Sequence, residues 1–579
     1  MIKFPSLKTL SDNFIETVFR YKWVAFIALT KTILLIWLTE IPHTNEAVRN
    51  QLTRLSFIAA LALPLALALR LSEERHRWKT YLRPALIGLL AVLLTVYYLL
   101  MDAEPNQSDT YRFLIFLAGA HLLVSYSPFI GSDDTEGFWQ FNKTLFLQFL
   151  NASLYAGTLY IGLLIAVQTI KYLFNVEYKF SIEVDLFIVV STFFHTIFFL
   201  SKIPAPTDFK SDYPVGLKIF TQYVLLPLEV VYLAILYVYV GKIVFQWQLP
   251  EGRVAYLVLA FSVAGIFALL LLYPLRQSVK ERWVAVFSRR YYLALLPLIV
   301  LLFIGIFRRI NDYGVTENRY IVAALACWLA GITLYFLSGK RDDIRWIPIT
   351  LSILCFLLPI GPWNIFVVSK NSQLKRFEEI LARNNILDAS HQITRRKTVT
   401  NEEREQLISI VEFFRNRELS GLEPYFAGFK EKDKSDYKYY SAMETSLNKF
   451  VLSEKQQQSE SYTSHSSQFA KDAAGISLAG FDHALFVDAS EDKQIGDGHV
   501  EIKIEQYGKM WTLFRDEKKI TVWNVADRVN ALQTAYGTHA MDVPQDSLIL
   551  SHKNYKMVLR SLSSSNSSYY YGNGVLFYK

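Results

Sequence analysis

"YYLALLPLIVLLFIGIFRRINDYGVTENRYIVAALACWLAGITLYFL", residues 291–337, decides what kind of protein this is. Both ends of the stretch are almost purely apolar. As helices, each is long enough to cross the roughly 30 Å hydrocarbon core of a bilayer. The middle, "RRINDYGVTENRY" at 308–320, holds three arginines, an aspartate and a glutamate. Apolar, charged, apolar is the pattern of a chain that leaves a membrane and re-enters it. Gly314 supplies a turn that a side chain would hinder. Thr316 is placed to N-cap the second helix. Arg308, Arg309 and Arg319 can reach lipid phosphates while their stems stay in apolar surroundings. Asp312 and Glu317 can pair with those arginines at the surface. A loop accounts for every residue type here. The same residues, with Tyr313, also suit the mouth of a ligand or partner site.

The pattern recurs along the chain. Eleven apolar segments lie near 22–40, 52–71, 83–101, 112–130, 144–172, 184–202, 217–244, 254–275, 291–308, 320–338 and 345–367. A content of 52% apolar and 15% aromatic residues suits a membrane protein with many interfacial rings. Prolines 64, 227, 297 and 359 fall inside these segments and predict kinks, which neighbouring membrane helices tolerate. The tract from Phe138 to Phe174 is too long for one upright span, so its first part either lies at the interface or extends beyond the lipid. The fold class is therefore an α-helical polytopic membrane bundle of about 11 transmembrane helices followed by a soluble α+β C-terminal region. Its divisions are an N-terminal cytoplasmic arm (1–21), a transmembrane domain (22–368), a helical soluble segment (369–452), a Ser/Gln-rich linker (453–475) and a small, mostly-β domain (476–579).

The net charge of +8 resides in the first 369 residues, which carry 32 bases against 24 acids. Its place in loops between apolar segments argues for membrane orientation rather than nucleic-acid binding. With the N-terminus inside, the inward loops hold 21 Lys and Arg and the outward loops 10. The expected location is the bacterial cytoplasmic (inner) membrane, the first span serving as its own insertion signal. Eleven crossings put the C-terminal domain outside, in the periplasm. The two cysteines, Cys327 and Cys355, lie within apolar segments and suggest neither a disulfide framework nor a metal site.

Beyond Val368 the chain turns polar. "SQLKRFEEILARNNI" has helical spacing, and "TNEEREQL" starts with a capping box between Thr400 and Glu403. "HVEIKIEQYGKMWTLFRDEKKITVW" alternates with period two, with turns expected at Tyr507-Gly508 and 515–518. "WNVADRVNALQTAYG" predicts a helix closed by Gly537, and "GDG" at 496–498 a hairpin turn. "FDHALFVD" predicts the start of a strand.

Four ionisable residues fall near mid-span: Lys31, His121, His195 and Glu229. Such residues are costly in lipid and face a partner or a cavity. Lys31 with Glu229 is the expected pair. It could serve as a proton relay or anion site, or simply as polar glue between helices. No Walker loop, GxSxG, HExxH or dinucleotide fingerprint is found, so no cofactor, metal or catalytic residue is assigned.

"RRINDYGVTENRY", the span after it, and "LLPIGPWNIFVVSKNSQLKRFEEIL" (357–381) resemble the bacterial membrane proteins of domain-of-unknown-function family 4153. The matching positions are Tyr313, Gly314, Thr316, Arg319, Gly361, Pro362 and Trp363. The resemblance implies many spans and then a soluble tail. It carries no catalytic residues over. The leading functional expectation is a non-enzymatic protein whose C-terminal domain binds or senses an envelope protein or ligand, with the bundle and the lipid bilayer as its anchor. The alternatives are a secondary transporter using the mid-span polar residues and an enzyme acting on a lipid carrier.

Overall fold

A computed structural model describes residues 7–42, 44–76, 78, 81–175, 181–204, 213–246, 253–277, 282–338, 343–388, 390–394, 397–426, 437–453, 462–466, 480–489, 493–496, 498–537, 539–540, 543–565 and 569–579. The chain forms two compact units, Met1–Ser369 and Lys370–Lys579.

Among the described residues, the regular elements of the first unit are all helices. A short α1 (Leu7–Arg20) leads into α2 (Lys22–Glu40), α3 (Glu46–His76), α4 (Leu82–Leu100), α5 (Gln107–Tyr126) and α6 (Thr135–Phe174). Then α7 (Ser181–Ile188) and α8 (His195–Ser201) join through a π-helical turn at Val189–Phe194. Likewise α9 (Val215–Ile219) and α10 (Leu226–Gln246) join through a second π turn at Phe220–Leu225. The unit continues with α11 (Arg253–Leu271), α12 (Arg282–Tyr313), α13 (Glu317–Leu337) and α14 (Trp346–Leu357). Ten helical stretches among the described residues are long and apolar enough to cross a membrane. Large apolar side chains point outward along them, such as Leu99, Leu154 and Val238, and a bilayer is the surroundings that makes this favourable.

The eleventh segment departs from expectation. Its helix has only 12 residues, and Pro359 and Gly361 fall in the break after it. The segment nevertheless keeps contact with its neighbours beyond the end of that helix. It lies antiparallel to α13, joined by Trp328 Nε1 to Thr350 Oγ1 (2.9 Å) and Tyr320 Oη to the Trp363 carbonyl (3.0 Å). Against α5, Ser352 Oγ donates to the Gly119 carbonyl (2.9 Å), and Arg112 lies over the Phe366 ring at 4.8 Å. A Cβ on Gly119 would come to 3.0 Å from Cys355 Cβ, so the missing side chain permits this approach. A half-length helix plus an irregular tail thus packs along both α5 and α13.

The kinks also differ. Pro64 and Pro297 sit inside continuous helices. Pro227 follows a π turn, whose wider winding relieves the clash of a proline ring with the preceding turn. The long tract is one 40-residue helix, α6. Its first turns are packed in the protein core, with Phe138, Trp139 and Phe141 buried and Trp139 Nε1 donating to the Leu270 carbonyl at 2.7 Å. They do not lie along the interface as a separate segment.

The second unit pairs a helical part with sheets. Helix α15 (Ile365–Arg383) leads into it from the first unit. Next come β1 (Lys397–Val399), α16 (Asn401–Arg415), α17 (Tyr437–Phe450) and β2 (Val451–Ser453), with β1 and β2 parallel. The capping box forms: Glu403 N donates to Thr400 Oγ1, and the Glu403 carboxylate accepts from Thr400 N. Phe377, Leu407, Phe414, Phe426 and Met443 form this part's core.

Then follow β3 (Tyr462–Ser466), β4 (His483–Ala489), β5 (Gln494–Gly496), β6 (Val500–Glu505), β7 (Met510–Arg515), β8 (Lys518–Asn524), α18 (Val525–Tyr536), β9 (His539–Ala540), β10 (Ile549–His552), β11 (Tyr555–Ser565) and β12 (Tyr569–Tyr578). One sheet is the meander β5-β6-β7-β8, with turns where alternation predicts them. The other runs β4-β12-β11-β3-β9, with β10 also on β11. Trp511, Ile502 and Leu513 from the first sheet, Met557, Leu559 and Leu562 from the second, and Val529 of α18 share one core. Helix α18 ends at Gly537, whose φ of +86° a side chain would resist.

The linker reading fails in part. Tyr462–Ser466, inside the Ser/Gln-rich stretch, is strand β3, and His465 is fully buried with Nε2 beside the Gly537 carbonyl at 2.8 Å. Composition signals flexibility, but strand pairing with β11 outweighs it. The rest of 454–479 lies outside the described residues, as does Asp497 of the expected "GDG" turn.

Candidate functional site

The stretch 308–320 is far less of a loop than its charges suggest. Helix α12 continues to Tyr313 and α13 starts at Glu317, leaving a three-residue turn. Gly314 makes that turn, with φ +72° and its N–H donating to the Ile310 carbonyl at 2.9 Å. This is the left-handed helix ending that glycine adopts at least cost. Thr316 takes the N-cap position, but its side chain makes no capping bond. Arg308 and Asp312 pair along the helix at 3.7 Å and are exposed, a weak contact. Glu317 is buried, not at the surface as expected.

Arg319 shows why the motif matters. Instead of reaching outward, its Nη1 donates to the carbonyls of Tyr313 (3.0 Å) and Gly314 (2.7 Å), and its guanidinium lies 5.5 Å from the Tyr313 ring centre. The last carbonyls of α12 lack partners within their helix and carry its negative dipole end, so a cation placed there is doubly favourable. The next residue, Tyr320, bonds the Trp363 carbonyl. Trp363 in turn donates Nε1 to Leu357 O at 2.9 Å, closing the end of α14, while Gly361 makes the turn with φ +77°. The two stretches that carried the resemblance are therefore neighbours at one end of the bundle. Asp109 and Arg112 of α5 join them, paired at 2.7 Å, with Arg112 over Phe366.

The four mid-span residues fall into three places. Lys31 of α2 lies within electrostatic reach of His195. His195 Nε2 is 3.2 Å from Ser153 Oγ of α6, and its ring meets Phe149 edge-on. Beside them Thr32 and Thr192 hydroxyls meet at 2.7 Å, tying α2 to the first π turn. Glu229 is elsewhere. No ion pair joins it to Lys31 among the described residues; its electrostatic neighbour is Tyr291 of α12. It is 5% exposed, and its Oε2 is buried without a hydrogen-bond partner among the described residues. His121 is exposed on the bundle's outer surface, with Nδ1 beside its own helix's Leu117 carbonyl at 2.8 Å. Opposite charge alone does not bring two residues together; helix rotation decides which faces meet.

One constellation escaped the sequence. Arg20 binds both carboxylate oxygens of Glu74 (3.0 and 2.8 Å) and the Ile203 carbonyl (2.8 Å), joining α1, α3 and the end of α8. Arg70 pairs with Glu73 and Glu74, and Arg83 with Glu73. Arg75 meets Asp134 at 2.9 Å, and Arg345 meets Asp343 and Asp133. Burial pushes the Asp134 carboxyl up, but the hydrogen bonds from Arg75 and Gly137 N outweigh it and hold it below the usual carboxylate range. The signal was present in the acids beside bases in "RLSEER" and "DDIR" and in the acidic "SDD" at 132–134. Counting bases for orientation passed over them.

No group of three or more His, Cys, Asp or Glu able to hold a metal is found among the described residues. Residues 30–393 match the family described as "Domain of unknown function (DUF4153)". An uncharacterised protein of Pasteurella multocida (strain Pm70) is 26% identical over 340 residues, covering 58% of this chain and 56% of that one. The chain thus matches little more than half the length of that relative. No solved structure matches. The family match takes in most of the helical bundle and α15 and stops short of α16 and of the two larger sheets. Since it covers more than half of the chain and includes both stretches that meet at Tyr320 and Trp363, the chain belongs to the DUF4153 family.

Proposed function

We propose that this integral membrane protein lies in the bacterial cytoplasmic membrane with its N-terminus inside. The Lys370–Lys579 unit then lies outside, where it binds or senses an envelope protein or ligand. The observation that carries the reading is the course of residues 346–366. Arg345 pairs with Asp133 at the end of the bundle that holds Arg20, Glu74 and Ile203, whereas Trp363 meets Tyr320 at the other end. The short α14 and its tail therefore count as a crossing, which makes eleven. The bias of loop bases supplies the direction. The test is a pair of reporters fused after Lys579, one active only outside the cytoplasm and one only inside. Activity of the outside reporter alone supports the reading; activity of the inside reporter alone overturns it. Residues 1–369 expressed alone should reach normal levels yet share the phenotype of a null strain.

Glu229 favours a second reading, a transporter with a carboxylate in its path. A buried oxygen without a partner is costly. Glu229→Gln then separates the two. Normal protein level with lost uptake of a substrate supports transport; unchanged behaviour removes it.

A further inference from the structure

Helix α4 packs closely on the bundle near its C-terminus, whereas near its N-terminus Arg83 pairs with Glu73 across a gap. Near its C-terminus, Tyr97 and Met101 are buried beside Leu61 and Phe113, and Arg54 donates to the carbonyls of Tyr98 (2.7 Å) and Met101 (3.2 Å). Toward its N-terminus it leaves a cleft of about 440 Å³ against α2 and α3, within the size range of ligand sites. The walls are apolar: Ile27, Ala62, Ala66, Leu86, Leu90 and Leu94. The rim is cationic and aromatic: Arg20, Lys22, Arg70 and Arg83, with Trp23 and Trp78.

Charge at the rim is unbalanced. Glu73 and Glu74 between them engage Arg20, Arg70 and Arg83. Lys22 lies over the Trp23 ring at 5.8 Å and joins no ion pair among the described residues. With Glu16 also within electrostatic reach of Arg20, four cations thus face three carboxylates, a surplus of one. Among the described residues Arg83 makes one ion pair, at 3.3 Å, and it is 41% exposed. Tryptophans beside cations are the arrangement found at the headgroup level of a membrane.

We propose that this cleft binds an anionic phospholipid, with an acyl chain between α2 and α4 and the phosphate among Lys22, Arg83 and Arg70. An apolar slot that ends at surplus positive charge complements a molecule that is apolar along its length and negative at one end. A zwitterionic lipid satisfies the slot but not the rim. A helix from a second copy would fill the slot but leave the surplus charge unmet.

The test is native mass spectrometry of the purified full-length chain, released from nanodiscs of equal phosphatidylglycerol and phosphatidylethanolamine. The wild type should keep phosphatidylglycerol in preference. Lys22→Gln with Arg83→Gln should lower that preference by roughly thirtyfold, as expected for two cations at about 1 kcal/mol each. Ala66→Leu, which fills the slot and leaves the rim intact, should lower retention of both lipids. Glycerol 3-phosphate, a headgroup without chains, should fail to displace the lipid. Equal retention of the two lipids by the wild type overturns the proposal, as does retention indifferent to both variants. A dimer that Ala66→Leu dissociates, with no lipid retained, assigns the cleft to a second copy and also overturns it. Should Ala66→Leu fail to fold, the charge variant alone decides.

Discussion

The two ends of the helical bundle use arginine differently. At the end near the N-terminus, arginines meet carboxylates from other segments: Arg20 with Glu74, Arg75 with Asp134, Arg345 with Asp133. At the opposite end the arginines that reach helix ends meet backbone carbonyls, Arg54 at the end of α4 and Arg319 at the end of α12, while Arg112 and Arg308 pair only with acids of their own helices among the described residues. The first arrangement braces segments distant in sequence against one another. The second closes single helix ends. The same side chain thus serves as a tie at one end and as a cap at the other, and the consequences of removing it should differ.

Arg20→Ala should have the largest effect. It leaves the partly buried Glu74 without its bidentate partner and the Ile203 carbonyl without a donor, a loss of about 2–3 kcal/mol. Thermal unfolding of the purified chain in detergent would register it. Gly314→Val should come next, at about 1–2 kcal/mol, because φ +72° is strained for any residue with a Cβ and worst for a branched one. Its signature would be fraying of the α12–α13 turn, seen as faster hydrogen exchange there.

Arg319→Ala should cost less, about 1 kcal/mol, since it removes contacts to carbonyls that water or lipid headgroups can partly replace. Arg319→Lys should recover only part of it, because a point charge cannot span two carbonyls as a planar fork does. If Arg319→Ala proved as damaging as Arg20→Ala, the distinction between tie and cap would fail.

The smallest effect is one of pH. The Asp134 carboxyl lies below its usual range when folded, so its contribution is complete above the unfolded value near pH ~4 and fades as pH falls through the lower folded value. The stability gap between wild type and Asp134→Asn should therefore be constant at neutral pH and narrow only under acid conditions. A gap that narrows near pH ~6 instead would show that the Arg75 pairing does not set the behaviour of Asp134.

Much of the fold was legible because it follows from short-range rules. Apolar length marks the spans, period two marks β6 to β8, and Thr400 with Glu403 announces the start of α16. The candidate site was less legible. Lys31 and Glu229 are both mid-span and opposite in charge, yet they belong to different helix faces. Arg319 carries a charge that suits lipid phosphate, yet the carbonyls of its own turn are nearer. Strand β3 hides in a Ser/Gln-rich stretch because its pairing partner, β11, is about a hundred residues later in the chain.

By itself the sequence determined that this chain carries a series of helices apolar enough to cross a membrane, roughly where they lie, and that a region of helices and small sheets follows them. Those properties depend on hydrophobicity and period, which are summed along the chain. Only the tertiary structure decided which charges meet, that a 12-residue helix and its tail pack along α5 and α13, and that α4 leaves a cleft beside α2. Those depend on how helices rotate and pack against distant neighbours, which no local pattern encodes.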